Sequence, residues 1–164
     1  MIDKTRPCLW FDGEAEQAAT FYVSLLPDSR IDKVQRAPTE YPSGPAGAVL
    51  VVEFTLAGRS YMAMNGGPGH PFTQAISLSI DCVDQAEVDR LWEALTADGG
   101  EPVACGWLKD RWGLSWQVVP TALPRLLADP DPARAARVFQ AMMGMIKLDA
   151  AELERAAAGE LIAA

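Results

Sequence analysis

Glu53 interrupts the apolar run Val49 to Leu56 (VLVVEFTL), where an unpaired carboxylate is costly to bury. In that setting a carboxyl serves as a general base with a raised pKa or as the anchor of a cationic ligand. A structural ion pair with Arg59, Lys109 or Arg111 is the alternative. Cys105 lies in a glycine-flanked turn near Trp107 and Lys109; a neighbouring ammonium favours the thiolate, whereas burial makes the same thiol an inert packing group. Lys109-Asp110 either orients the polar end of a ligand or is a solvated pair at a hairpin. Trp10, Trp107, Trp112 and Trp116 are candidates to wall an aromatic pocket. His70 is the single histidine, which excludes chemistry needing two imidazoles and leaves no Cys–His pair; it reads as a loop residue.

The elements that must position these groups belong to an acidic chain of 164 residues, with 14 Lys+Arg against 22 Asp+Glu and a net charge of −8. That balance argues against nucleic acid, which needs concentrated Lys and Arg. A 49% hydrophobic content excludes disorder, and no apolar run approaches the ~18 residues of a membrane span. Three cysteines without a CxxC pair fit a reduced, cytoplasmic protein.

Two helices repeat one another. Ala18, Phe21, Tyr22 and Leu25 follow helical spacing, and Val88, Leu91, Trp92 and Leu95 repeat them at a uniform offset of 70. Asp84 reads as an N-cap with Glu87 at the capping-box position. Short extended runs precede the helices, at residues 7–11 and 75–81. Two hairpin returns, GRSYMAM from Gly58 and GLSWQVV from Gly113, recur at an offset of 55, so the second copy lacks 15 residues, most simply from its middle strands. The chain reads as α+β: two copies of strand-helix-strand-strand-strand, module one over 1–66 and module two over 73–120. A helical extension over 121–164 packs on the same domain. In it Asp131-Pro132 starts a helix, Ala135, Val138, Phe139, Met142, Met143 and Ile146 form an apolar stripe, and Asp149 caps a last helix.

The segments PCLWFDG from Pro7, FY at Phe21, VEFTLAG from Val52, CGWLKDRWG from Cys105 and SWQVVP from Ser115 resemble the PhnB-like proteins of the vicinal oxygen chelate (glyoxalase/bleomycin resistance/dioxygenase) superfamily. The resemblance is read across the whole chain, including the run from Leu126 to Leu148. It implies two βαβββ modules forming curved mixed sheets around a cleft, and a homodimer. It implies no single reaction. A methyltransferase label carried by some members is set aside, because no strand-GxGxxG-helix nucleotide site is visible.

Alternation along each strand then assigns faces. Ile76, Leu78 and Ile80 lie under the helix, so Ala75, Ser77 and Ser79 face the cleft, and the offset of 70 puts Thr5, Pro7 and Leu9 there too. Tyr61, Ala63, Trp116 and Val118 pack inward with Trp10, leaving Ser60, Met62, Met64, Ser115, Gln117 and Val119 on the cleft. A two-residue turn at Ala57-Gly58 sets Glu53 opposite Met62. The superfamily's metal positions correspond to Thr5, Met62, Ala75 and Gln117, of which only Gln117 is metal-capable, so neither a metal nor another cofactor is expected. The leading expectation is a metal-independent protein binding a small organic molecule, with Glu53 as the catalytic candidate. Ser60, Met62, Met64, Ser77, Ser79, Cys105, Trp107, Lys109, Ser115 and Gln117 are the candidate ligand contacts. A metal-dependent lyase, isomerase or dioxygenase and a non-catalytic dimeric interaction protein are the alternatives.

Overall fold

The computed structural model describes residues 4–160. The chain divides between Phe72 and Thr73 into two compact units, each holding one four-stranded mixed sheet.

In the first unit β1 (Cys8–Phe11), α1 (Ala15–Leu25), β2 (Arg30–Arg36), β3 (Val49–Leu56) and β4 (Arg59–Asn65) follow in order, and the strands lie β1-β4-β3-β2. Ala57 and Gly58 both take positive φ (46° and 77°), as a tight hairpin turn requires, and the resulting register sets Glu53 opposite Met62. The buried face of the sheet carries Leu9, Phe11, Val52, Phe54 and Ala63. Against it pack Ala18, Ala19, Tyr22 and Leu25 of α1. Glu14 gives α1 no side-chain cap. The buried Asn65 does so instead, accepting from Ala15 N–H at 2.9 Å while donating to Val49 O at 3.0 Å. Four charged side chains on β2 (Arg30, Asp32, Lys33, Arg36) keep that edge in water.

The expected facing of β1 is corrected here. Cys8 pairs with Met62 and Leu9 with Ala63, so Leu9, 3% exposed, sits under the helix, and Trp10 lies on the opposite face with Cys8. Thr5 and Pro7 precede the strand. In the second unit Ser79 pairs with Gln117, so the strands repeat at 71 while the helices repeat at 70. The first strand-to-helix turn, which holds Gly13 at φ 95°, is one residue longer, and a one-residue slip exchanges the faces of a strand.

In the second unit β5 (Ser77–Cys82), α2 (Gln85–Thr96), β6 (Glu101–Pro102), β7 (Trp107–Lys109) and β8 (Ser115–Pro120) form a sheet ordered β5-β8-β7-β6. The missing residues do come from the middle: β6 and β7 have two and three residues where β2 and β3 have seven and eight. Val88, Leu91 and Leu95 of α2 are buried, as are Ile80, Leu108, Trp116 and Val118 of the sheet. Asp84 accepts from Glu87 N–H at 2.9 Å, and Glu87 reaches back to Val83 N–H at 2.8 Å, closing the helix start.

Three helices complete this unit: α3 (Ala122–Leu127), α4 (Pro132–Gly144) and α5 (Ala150–Ala158). Their core holds Leu123, Leu126, Val138, Leu148 and Leu153. Asp131 and Asp149 cap α4 and α5 as expected. The helices are tied to the sheet by backbone bonds from Cys105 N–H to Met145 O and from Gly106 N–H to Ile146 O, both 2.8 Å. Gln85 adds bonds to Leu148 O and Ala150 N–H. The α4 stripe is not one buried face. Of the expected stripe Val138 is buried, while Phe139, Met143 and, past the end of the helix, Ile146 are 51%, 56% and 60% exposed, because the stripe is wider than the surface its neighbours cover.

Candidate functional site

Within β5 and β8 the uncovered face carries the side chains that alternation assigns to it, whereas Ala75 and Ile76 precede β5 and Ile76, expected under the helix, is 54% exposed. Ser77, Ser79 and Asp81 on β5 lie beside Ser115, Gln117 and Val119 on β8, and Trp107 pairs with Gln117 from β7. Over part of this face the C-terminal helices border an open pocket of about 360 Å³, whose floor residues Ser79 and Asp81 are exposed. Its floor is Ser79, Asp81, Gln117 and Val119, and Trp107 and Cys105 wall one side. Leu123 and Leu127 of α3, with Met142 of α4, form the roof. A second cavity of about 320 Å³ shares Cys105 and Trp107 and is bounded by Gln74 and Val103. The result is a largely apolar chamber with a few polar groups on one wall, the general make-up of a small-molecule site.

Polar detail follows from the register. Gln117 donates from Nε2 to Ser77 Oγ at 2.9 Å, which fixes the amide and leaves its oxygen as an acceptor. Ser115, 1% exposed, has a hydroxyl without a partner among the described residues. Neither Ser77 nor Ser115 lines the cavity; Ser79 and Gln117 do. Lys109 lies outside it and pairs with Glu101 at 3.4 Å. Cys105 adopts φ 59° and brings its sulfur 3.8 Å from that of Met143. Arg111 lies over the Trp112 ring at 5.3 Å, so of the tryptophans left open by alternation, Trp107 is the one at the cavity.

Asp110 is not a solvated hairpin charge. It is 3% exposed and accepts from Trp116 Nε1 at 2.9 Å, Trp112 N–H at 2.9 Å and Leu114 N–H at 3.1 Å. The carboxylate thereby closes the β7–β8 turn and sets Trp107 against Gln117. Cys82 is buried under α2. Burial first, and the nearby Glu87 carboxylate second, push its thiol up to about 12, so it stays protonated.

In the first unit Glu53, Met62 and Cys8 form one cross-strand row. Glu53 is ion-paired, with Arg6 Nη1 at 2.9 Å. Arg6 takes the place expected for Arg59, Lys109 or Arg111, and the last two pair instead with Glu101 and Asp98. Burial raises the Cys8 thiol, against the pull of the Arg6 charge. Ser60 and Met64 share the face of Met62. Trp10 on that face donates from Nε1 to Gly67 O at 2.8 Å and meets the His70 ring edge-on at 4.7 Å.

The four positions expected from the resemblance to match superfamily metal ligands make a poor donor set, and the strand offset of 71 takes Thr5 out of correspondence with Ala75. Thr5 and Ala75 stand outside β1 and β5, Met62 offers a thioether, and Gln117 has turned its amide nitrogen to Ser77. No three of His, Cys, Asp and Glu gather as a possible ion site among the described residues.

Asp81 and the roof residues Leu123, Leu127 and Met142 were not among the candidates read from sequence. Asp81 was legible in principle, since it continues the Ser77, Ser79 alternation. The roof was not, because an amphipathic helix does not declare which neighbour it covers.

This arrangement of paired βαβββ sheets is that of the vicinal oxygen chelate superfamily. Within it, the 3-demethylubiquinone-9 3-methyltransferase family matches residues 3–119, and the chain belongs to this PhnB-like family. A putative 3-demethylubiquinone-9 3-methyltransferase, PhnB protein, from Bacillus cereus is 33% identical, with a TM-score of 0.65 over 72% of this chain and 99% of that one. Protein PA1353 from Pseudomonas aeruginosa shares the fold at 21% identity and a TM-score of 0.54, over 73% of this chain and 98% of the other. So does a Listeria monocytogenes fosfomycin resistance protein, FosX, complexed with Mn(II) and sulfate, at 15% identity and 0.50 over 77% and 97%. No curated protein matches. The matched family segment stops at residue 119, so it does not extend over Leu126 to Leu148 as the sequence resemblance suggested. Helices α3 and α4, which roof the cavity, and α5 lie beyond it.

Proposed function

We propose that this protein binds a small organic molecule in the cavity of its second unit, through its own side chains rather than through a divalent metal. The observation that carries this reading is the 360 Å³ chamber itself, with acceptor groups on a sheet floor and apolar helices above. Its volume lies within the range of small-molecule pockets. Ser79, Cys105, Trp107 and Gln117 are the ligand contacts named from sequence that line it. The poor donor set at the superfamily's metal positions supports a metal-independent mode. The family's name describes methyl transfer; the proposal leaves that activity aside, since no GxGxxG turn is present to hold a nucleotide-type donor. A cytoplasmic homodimer completes the reading, with sedimentation equilibrium as its check.

The test uses N-phenyl-1-naphthylamine, a neutral fluorophore that brightens in apolar sites. Protein stripped with EDTA should bind it saturably at one site per chain. Ser79→Phe, at an exposed floor position in a strand, should fill the chamber and remove the enhancement while circular dichroism stays unchanged. Trp107→Ala should weaken binding independently. No saturable enhancement with the native chain, or full enhancement in Ser79→Phe, overturns the assignment.

A further inference from the structure

We infer that the molecule this cavity accepts is a small organic cation, an ammonium attached to an apolar or aromatic body, held by Asp81. The inference rests on the binding reading above and adds the ligand's charge. Among the residues lining the chamber, Asp81 is the one with a formal charge, and among the described residues no salt bridge engages it. No lysine, arginine or histidine lines the wall to receive an anion.

The remaining polar groups point the same way. Gln117 gives one amide hydrogen to Ser77, which leaves its oxygen and its second amide hydrogen, and the Ser79 hydroxyl accepts as readily as it donates. The floor therefore combines polar groups that adapt to donor or acceptor with one full negative charge at Asp81, which suits a ligand that carries positive charge. An anion on this floor would meet the like charge of Asp81 with no cation in the lining to offset it. The net charge of −8 adds a long-range preference of the same sign.

Register also sets the shape of the ligand. Asp81 stands on β5 opposite Val119, while Trp107 lies two strands away on β7, opposite Gln117. Two strand spacings across and two residues along the strands put these positions about 12 Å apart. An ammonium at Asp81 thus leaves room for a short chain across Val119 and an aromatic ring near Trp107, beneath Leu127 and Met142. Helices α3 and α4, which supply this apolar roof, lie beyond the matched family segment.

Three ligands of one skeleton test the charge: 3-phenylpropylamine, 3-phenylpropan-1-ol and 3-phenylpropanoate, each competing with N-phenyl-1-naphthylamine. Asp81 is solvent-accessible, so the amine should displace the probe at roughly two- to fivefold lower concentration than the alcohol, and the acid should be weakest. Asp81→Asn should bring the amine-to-alcohol ratio to about one, and added salt should shrink it in the native chain. Glu93→Gln, which removes the same charge from the exposed side of α2, should leave the ratio as it was. Equal displacement by amine and alcohol, or an unchanged ratio in Asp81→Asn, overturns the cation assignment while probe binding leaves the binding reading intact. Failure of the probe itself to bind would instead overturn the proposed function.

Discussion

Replacing Asp110 tests how the β7–β8 turn holds the candidate site. Its carboxylate accepts three N–H groups at 2.9, 2.9 and 3.1 Å from a position 3% exposed. Asp110→Asn keeps the shape and leaves one oxygen for the Trp112 and Leu114 amides, but sets an NH₂ against the Trp116 indole N–H. A charge-assisted bond is lost and two donors face each other, at a cost of about 2–3 kcal/mol. Asp110→Ala leaves all three donors without this acceptor, at about 4 kcal/mol. Urea unfolding followed by tryptophan fluorescence measures both. The decisive assay is a double-mutant cycle with Trp116→Phe, which removes the indole donor. The pair should be less destabilised than the sum of the singles by about 1–2 kcal/mol. Because β7 has three residues, all paired to β8, the same variants should weaken probe binding at Trp107. A coupling of zero, or Asp110→Asn within about 0.5 kcal/mol of the native chain, would refute this account of the turn.

Glu53→Gln should lower stability by less than about 1 kcal/mol, since the Arg6 pair is partly exposed, and should not alter probe binding; a large loss of binding would return Glu53 to the centre of the site. Gly106→Ala should cost about 1–3 kcal/mol, because φ is +80° and the new carbon would lie 2.8 Å from Leu148 Cδ1; it should also loosen the helical roof, read as faster hydrogen exchange at Cys105 and Gly106. Near neutral pH iodoacetamide should spare Cys82 until urea unfolds the chain, because a thiol raised to about 12 carries almost no thiolate. The folded state holds that proton more tightly than the unfolded chain. Its contribution to stability is therefore complete below pH 9.0 and is lost as pH rises towards about 12. Cys82→Ala should flatten the alkaline fall in urea midpoint.

Local patterns carried the repeat, and the structure follows them where a pattern has one reading. The helices at an offset of 70, the Asp84, Asp131 and Asp149 caps and the Glu53–Met62 register are all consequences of nearest-neighbour chemistry. β1 escaped because Gly13 lies in a turn one residue longer than its counterpart, and an alternation of period two reverses on a single insertion. Asp110 escaped because one buried indole and two turn amides repay its desolvation, a compensation invisible without coordinates. The cavity escaped for a third reason: Ser79, Trp107 and Gln117 were identifiable from strand parity, but Leu127 and Met142 reach them through helices whose docking depends on two backbone bonds at Cys105 and Gly106.

The brevity of β6 and β7 has a wider consequence. With two and three residues of strand where the first unit has seven and eight, the second half of the repeat acts as a socket, and whatever tail follows Pro120 becomes its plug. On the proposed binding reading, drift in Leu123, Leu127 or Met142 would retune what the socket accepts without touching a single strand, so preferences would change from the tail rather than from the sheets.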